Sequence, residues 1–156
     1  MKGELLEGGI RVPIILSWPA GLKGARDSDQ VMLSMDVLPT LMGAAGIAAR
    51  NADFDGLDLW PMMVSGESRR RQAFWRYKNA GQAAVRDGDW KYLAIGGREF
   101  LFDLAADQRE RADLKDRNPQ KFGELKRRFE VWNRDMLPYP PNSRSAATRT
   151  FAPDRY

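Results

Sequence analysis

The chain has 156 residues, 43% of them apolar and 29% charged, with a formal net charge of +4 and neither histidine nor cysteine. That composition is ordinary for a globular protein and long enough for one domain with a core, or a small domain plus part of another. Without imidazole or thiol, Ser-His and Cys-His nucleophile chemistry, thiolate ligation, disulfides and most transition-metal sites are excluded. No apolar run approaches the roughly 20 residues that span a bilayer. Glu4 places a charge where the apolar part of a secretory signal would begin. The sequence therefore predicts neither a membrane segment nor a leader within these residues, and leaves the cellular compartment open.

In chain order, Glu4–Gly9 is a short segment punctuated by Gly8-Gly9, read as a turn. Ile10–Trp18 follows as a predicted strand. Its continuous Ile14-Ile15-Leu16 run suits a strand buried on both faces of an α/β sheet. Such a strand needs neighbours that the nearby sequence does not supply. After a polar loop comes a predicted helix with Ser34 or Asp36 as N-cap, Pro39 in its first turn, and Leu38, Leu41 and Met42 as its apolar face. Gly46 is placed to end it. Phe54–Pro61 leads into a short helical turn ending near Gly66, and the arginines at 69–71 mark a boundary.

From Gln72 the pattern changes. Ala73–Tyr77, Gln82–Arg86, Trp90–Ala94 and Glu99–Asp103 are predicted strands, with Asp87-Gly88 and Gly96-Gly97 as hairpin turns. Together they predict a four-stranded antiparallel meander. Asn118 and Pro119 then open a helix whose Phe122, Leu125, Phe129, Trp132 and Met136 form one apolar stripe. The Pro138–Asn142 run ends it, and a Ser/Arg/Thr-rich tail follows.

The most informative segment is Lys2–Pro13, which places a lysine a few residues before the Gly8-Gly9 pair at the mouth of the Ile10–Trp18 segment. Loops at strand ends are where α/β folds place ligand sites, and an ammonium is a point charge suited to an oxyanion. Taken on these residues alone, a solvated lysine beside a loop that needs glycines is the favoured reading, since lysines are usually exposed. The aromatics Trp75, Trp90, Phe100, Phe102, Phe129 and Trp132 could form a stacking platform for sugars or bases. Their spacing instead favours the core of the small domain. Basic clusters at Arg69-Arg70-Arg71 and Lys126-Arg127-Arg128 are interspersed with acids, and without a reading motif they make a poor case for nucleic acid.

The run Lys2-Gly3-Glu4-Leu5-Leu6-Glu7-Gly8-Gly9-Ile10-Arg11-Val12-Pro13, followed by an apolar segment and Trp18-Pro19-Ala20-Gly21, resembles the second signature region of the sulfatase family. The resemblance continues through Ser34–Met42, Ala45-Gly46-Ile47, Asp55–Pro61, Ala84–Tyr92 and Glu99–Leu104, and into the acidic loop ending at Asp113-Leu114. It runs in order from Lys2 to about Met136. It departs where Asp107-Gln108-Arg109-Glu110 replaces the usual Asp-Pro-x-Glu, and where Asp113-Leu114 replaces Asn-Leu. Met1 also stands directly before Lys2, where the family's catalytic chain continues upstream.

The resemblance to sulfatases, arylsulfatase-like members of the alkaline phosphatase superfamily, implies an α/β fragment plus an α+β domain. Residues 1–71 are expected as the end of a large catalytic α/β domain. Residues 72–137 would be the C-terminal subdomain, a four-stranded antiparallel sheet packed by one helix, and 138–156 a tail. It implies hydrolysis of a sulfate ester by a formylglycine nucleophile with a divalent metal, usually calcium, both supplied from outside this chain. No complete catalytic set, no metal ligand and no cofactor is expected within the chain. Lys2 matches the family's sulfate-contacting lysine, while Glu7, Gly8, Gly9, Arg11 and Pro13 match positions supporting the turn and strand. Two alternatives stay open: a related phosphonate or phosphate ester hydrolase, and a non-enzymatic polyanion-binding module. An apolar strand without neighbours also raises self-association through exposed apolar surface.

Overall fold

A computed structural model describes residues 3–24, 26–48 and 54–140. Its contacts divide the chain into two compact units, one made of Met1–Pro13 with Arg71–Tyr156 and the other of Ile14–Arg70. The break at 70–71 falls at the arginine-rich boundary. The first thirteen residues, however, join the C-terminal unit rather than the segment they precede.

In the first unit, strands β1 (Gln72–Tyr77), β2 (Gln82–Asp87), β3 (Trp90–Ile95) and β4 (Arg98–Asp103) form one antiparallel sheet in that order. Local turns set the register. Gly96 and Gly97 sit at φ 58° and 75° between paired Ile95 and Arg98, as a two-residue turn with two left-handed positions requires. The β2–β3 turn is shifted by one residue from the expected Asp87-Gly88. Asp87 pairs with Trp90, so Gly88-Asp89 is the central pair, with Gly88 at φ 62°.

Helix α4 (Pro119–Arg134) covers one face of this sheet. Its Leu125 is fully buried against Val85, Tyr92 and Leu101, flanked by Phe122 and Phe129, and Trp132 stacks on Phe74 at 5.2 Å. Asn118 holds the N-cap position without a side-chain bond; its carbonyl accepts the Phe122 N–H at 3.0 Å. Met136 lies beyond the helix end.

The opposite face of the sheet presents Ala84, Leu93, Ile95 and Phe102, and it is covered by Leu5 and Leu6, with Ile10 packed beside them. The expected turn at Gly8-Gly9 is a single helical turn, α1 (Glu7–Ile10), in which neither glycine takes a positive φ. The sheet is thus filled on both sides. The aromatics fall into these two cores, Trp75, Phe100 and Phe102 on one face and Trp90 and Phe129 on the other.

In the second unit, helix α2 (Val37–Ala44) follows a 3-10 turn at Ser34–Asp36, and α3 (Trp60–Ser65) ends at Gly66 with φ 80°. Gly46 at φ 70° ends α2. Its N–H reaches the Gly43 carbonyl at 3.1 Å and the Ile47 N–H reaches that of Met42 at 2.9 Å, the paired bonds of a Schellman stop. Two motif runs quoted from the sequence prove to be each other's partners. Asp36, fully buried, accepts the Leu57 N–H at 2.8 Å and the Leu33 N–H at 2.6 Å. One turn later the Thr40 hydroxyl accepts the Leu59 N–H at 3.0 Å. Gly56 is required between them, since a Cβ there would lie 2.0 Å from the Met35 carbonyl oxygen.

Two expectations fail in this region. Residues 11–18 form no strand and are exposed throughout, Ile15 to 91%. A buried-type strand exists only where neighbouring strands complete its hydrogen bonds, and none of β1–β4 pairs with it. Leu38 and Leu41, expected to face inward, are 55% and 54% exposed, because α2 turns Pro39 and Thr40 into its own unit instead.

Candidate functional site

The residues around the Lys2 signature are organised by the sheet. Lys2 itself lies outside the described residues. The backbone that follows it is gripped by Gln82, a buried side chain at the start of β2. The Leu5 N–H donates to Gln82 Oε1 at 2.8 Å, and Gln82 Nε2 donates to the carbonyls of Gly3 and Asn79, each at 3.2 Å.

Two residues further on, the chain meets a buried charge cluster. Lys91 is fully buried, and alternation along β3 puts it on the same face as Leu93 and Ile95. Its Nζ donates to Glu7 Oε1 at 2.8 Å and lies 2.7 Å from Glu110 Oε1. The other Glu7 oxygen is 3.5 Å from the Arg86 guanidinium, which shares this face from β2. Glu110 Oε2 accepts the Glu7 N–H at 2.6 Å. Two acidic side chains meet two basic ones here, the kind of pairing that makes burial of such groups tolerable, and Arg86 keeps 19% of its side chain exposed. Burial pushes the Glu110 carboxyl above its ordinary pKa, against the lowering influence of Lys91.

The loop that delivers Glu110 is built for that purpose. Asp107 accepts the backbone N–H groups of Arg109, Arg111 and Ala112 at 3.2, 2.6 and 2.8 Å, curling the chain around one carboxylate. Glu110 then sits at φ 56°, a left-handed conformation that glycine adopts more easily. Asp113 ties the next stretch to β4 by accepting the Leu101 N–H at 3.1 Å, and the Leu114 N–H reaches the Leu101 carbonyl at 2.8 Å.

Of the residues singled out in the sequence, Glu7 enters this cluster, Gly8 and Arg11 are exposed, and Gly9 is half-buried. Pro13 is exposed. Sequence reasoning missed Gln82, Lys91 and Glu110. A signal for one of them existed: a lysine two residues from Leu93 and four from Ile95 in a strand falls on the buried face. The cluster is not a metal centre, since the ammonium of Lys91 already lies between the two carboxylates. Among the described residues no group of three or more potential metal ligands comes together. The acids present therefore do not fit the implied calcium. Among the described residues, no helix is long and apolar enough to cross a membrane.

The family of the N-sulphoglucosamine sulphohydrolase C-terminal region matches residues 2–130. The chain belongs to this sulfatase family. An uncharacterized sulfatase of Schizosaccharomyces pombe is 30% identical over 145 residues, covering 84% of this chain and 26% of that protein. Human steryl-sulfatase is 29% identical over 80% of this chain and 27% of its own length. Human arylsulfatase A is 34% identical over 58% of this chain and 18% of its own. This sulfatase chain thus spans about a quarter of the relatives' length and corresponds to their C-terminal part. Among solved structures, a sulfatase from a study of glycosaminoglycan metabolism by Bacteroides thetaiotaomicron shares the fold with a TM-score of 0.73. It is 20% identical and covers 85% of this chain and 31% of that one.

Proposed function

We propose that this chain is the C-terminal part of an enzyme that hydrolyses sulfate esters, contributing Lys2 to the sulfate while residues outside the chain supply the formylglycine nucleophile and a divalent metal. The observation that carries this reading is the family match over residues 2–130, a stretch that includes Lys2. A cation beside the transferring sulfuryl group stabilises the charge that gathers on its oxygens, as an ordered lysine can. Glu7, Gly8, Gly9, Arg11 and Pro13 support the segment that carries it. The described residues hold neither nucleophile nor metal set, so the isolated chain is inactive in this reading.

Two measurements test it. The purified 156-residue protein should leave a generic aryl sulfate intact; turnover would overturn the predicted inactivity. The DNA upstream of Met1 should carry an in-frame Cys/Ser-x-Pro-Ser-Arg sequence, and the longer product should hydrolyse the sulfate ester, with Lys2→Ala lowering kcat/KM. A product faster on phosphonate or phosphate esters than on sulfates would favour the related hydrolase. The exposed run Val12, Ile14, Ile15 and Leu16 supports self-association of the isolated chain. Light scattering across a range of concentrations should show it, and a monomer throughout would end that part of the proposal.

A further inference from the structure

The segment that follows Lys2 is held by side chains far away in sequence, and the manner of holding is specific. Leu5 and Leu6 supply burial, which fixes the segment against the sheet but leaves it free to slide. Hydrogen bonds remove that freedom. Gln82 takes the Leu5 N–H and gives to the Gly3 carbonyl, so one amide side chain reads the backbone on both sides of Glu4. Glu110 takes the Glu7 N–H, and Lys91 pins the Glu7 and Glu110 carboxylates together. Residue 3 presents a carbonyl acceptor and residues 5 and 7 present N–H donors, each to its own side-chain partner, so a shift of one residue would leave buried polar groups unpaired. The left-handed backbone of Glu110 adds to the case, because a conformation favouring glycine is occupied by the side chain that completes the clamp.

We propose that Gln82, Lys91 and Glu110 form a clamp that fixes the register of residues 3–7, the segment that follows Lys2 in the sequence, on the sheet. The clamp does not rest on the function proposed above. In this assignment the small antiparallel sheet is the platform for residues 3–7, and its own surface need not touch substrate.

The test is site-resolved amide hydrogen exchange on the whole chain. Gln82→Leu keeps the buried volume and removes the hydrogen bonds. Exchange at Leu5 should accelerate about tenfold or more, the order expected for one buried hydrogen bond. Tyr92, Leu93 and Leu101 in the sheet should keep their protection. Glu110→Gly gives the loop the residue its φ favours while withdrawing the acceptor from the Glu7 N–H. It should speed exchange at Glu7 by a similar factor and serves if Gln82→Leu fails to fold. Unchanged exchange at Leu5 and Glu7 would overturn the proposal. So would acceleration spread equally over the strands, which is what a purely structural role produces. Because exchange reads the clamp directly, it stands or falls apart from any aryl sulfate assay.

Discussion

Replacing Lys91 by methionine removes one charge from the centre of the cluster while keeping an unbranched side chain of similar reach. Glu7 and Glu110 would then face each other from opposite sides of the vacated site, with Arg86 at 3.5 Å from Glu7 as the remaining cation. Breaking a buried pair from one side costs about 3–5 kcal/mol, because the partner's desolvation is no longer compensated. The unit formed by Met1–Pro13 and Arg71–Tyr156 has about one hundred residues. At that size each kcal/mol moves the midpoint by about 4 °C or more, so Lys91→Met should lower Tm by about 12–20 °C. Differential scanning calorimetry or far-UV circular dichroism would measure it. The compensating variant Lys91→Met/Glu7→Gln/Glu110→Gln removes the orphaned charges and keeps acceptor oxygens, and should recover at least half the loss. The pH dependence has a definite sign. Glu110 is raised by burial and lowered by Lys91, so removing Lys91 raises it further. A carboxyl raised in the folded state binds its proton more tightly there than in the unfolded chain. The variant should therefore gain stability as pH falls from the folded pKa toward the ordinary glutamate value, and more steeply than wild type. A Tm drop below about 4 °C, or a triple variant as unstable as the single one, would refute the assignment of Lys91 as the hub.

Other outcomes follow from single contacts. Leu125→Ala empties the fully buried centre of the α4 interface and should cost about 2–5 kcal/mol, read from a urea transition. Gly56→Ala forces a Cβ against the Met35 carbonyl and should destabilise the Ile14–Arg70 unit by about 1–3 kcal/mol. Hydrogen exchange at Leu57 and Leu59 would report it. Tyr92 is raised well above its ordinary value, first by burial and then by its hydroxyl bond to Glu99 at 2.7 Å and the charge behind it. Its neutral form is thus favoured by folding, a contribution complete below about pH 10 and lost as pH rises beyond it. Absorbance near 295 nm should show one tyrosine ionising only with alkaline unfolding, whereas normal titration in the folded chain would contradict the buried contact.

The parts legible from sequence are those whose causes are local. Gly96-Gly97 specifies its turn from two residues, and the Phe122–Trp132 stripe specifies which side of α4 meets the sheet. The β2–β3 turn lies one residue from where the sequence places it, because Asp87-Gly88 and Gly88-Asp89 are both acceptable central pairs and only the Asp87–Trp90 pairing decides between them. The Ile10–Trp18 run forms no strand for the opposite reason. An apolar run states that a segment wants neighbours, and says nothing of whether they are present.

The cluster shows a deeper limit. Lys91 and Glu7 are 84 residues apart, and Glu7 and Glu110 are 103 apart. Local periodicity can place Lys91 on the buried face, but it cannot name the carboxylates that make burial tolerable. The ordered motifs held that information in another form. Glu7, Lys91 and Glu110 each fall in a different one of the runs that resemble the sulfatases, and Asp36 and Thr40 fall in one run while Leu57 and Leu59 fall in another. In this chain the separate runs meet because they are halves of the same contacts. What looked like a string of independent signatures is largely the record of two sets of contacts, one in each unit.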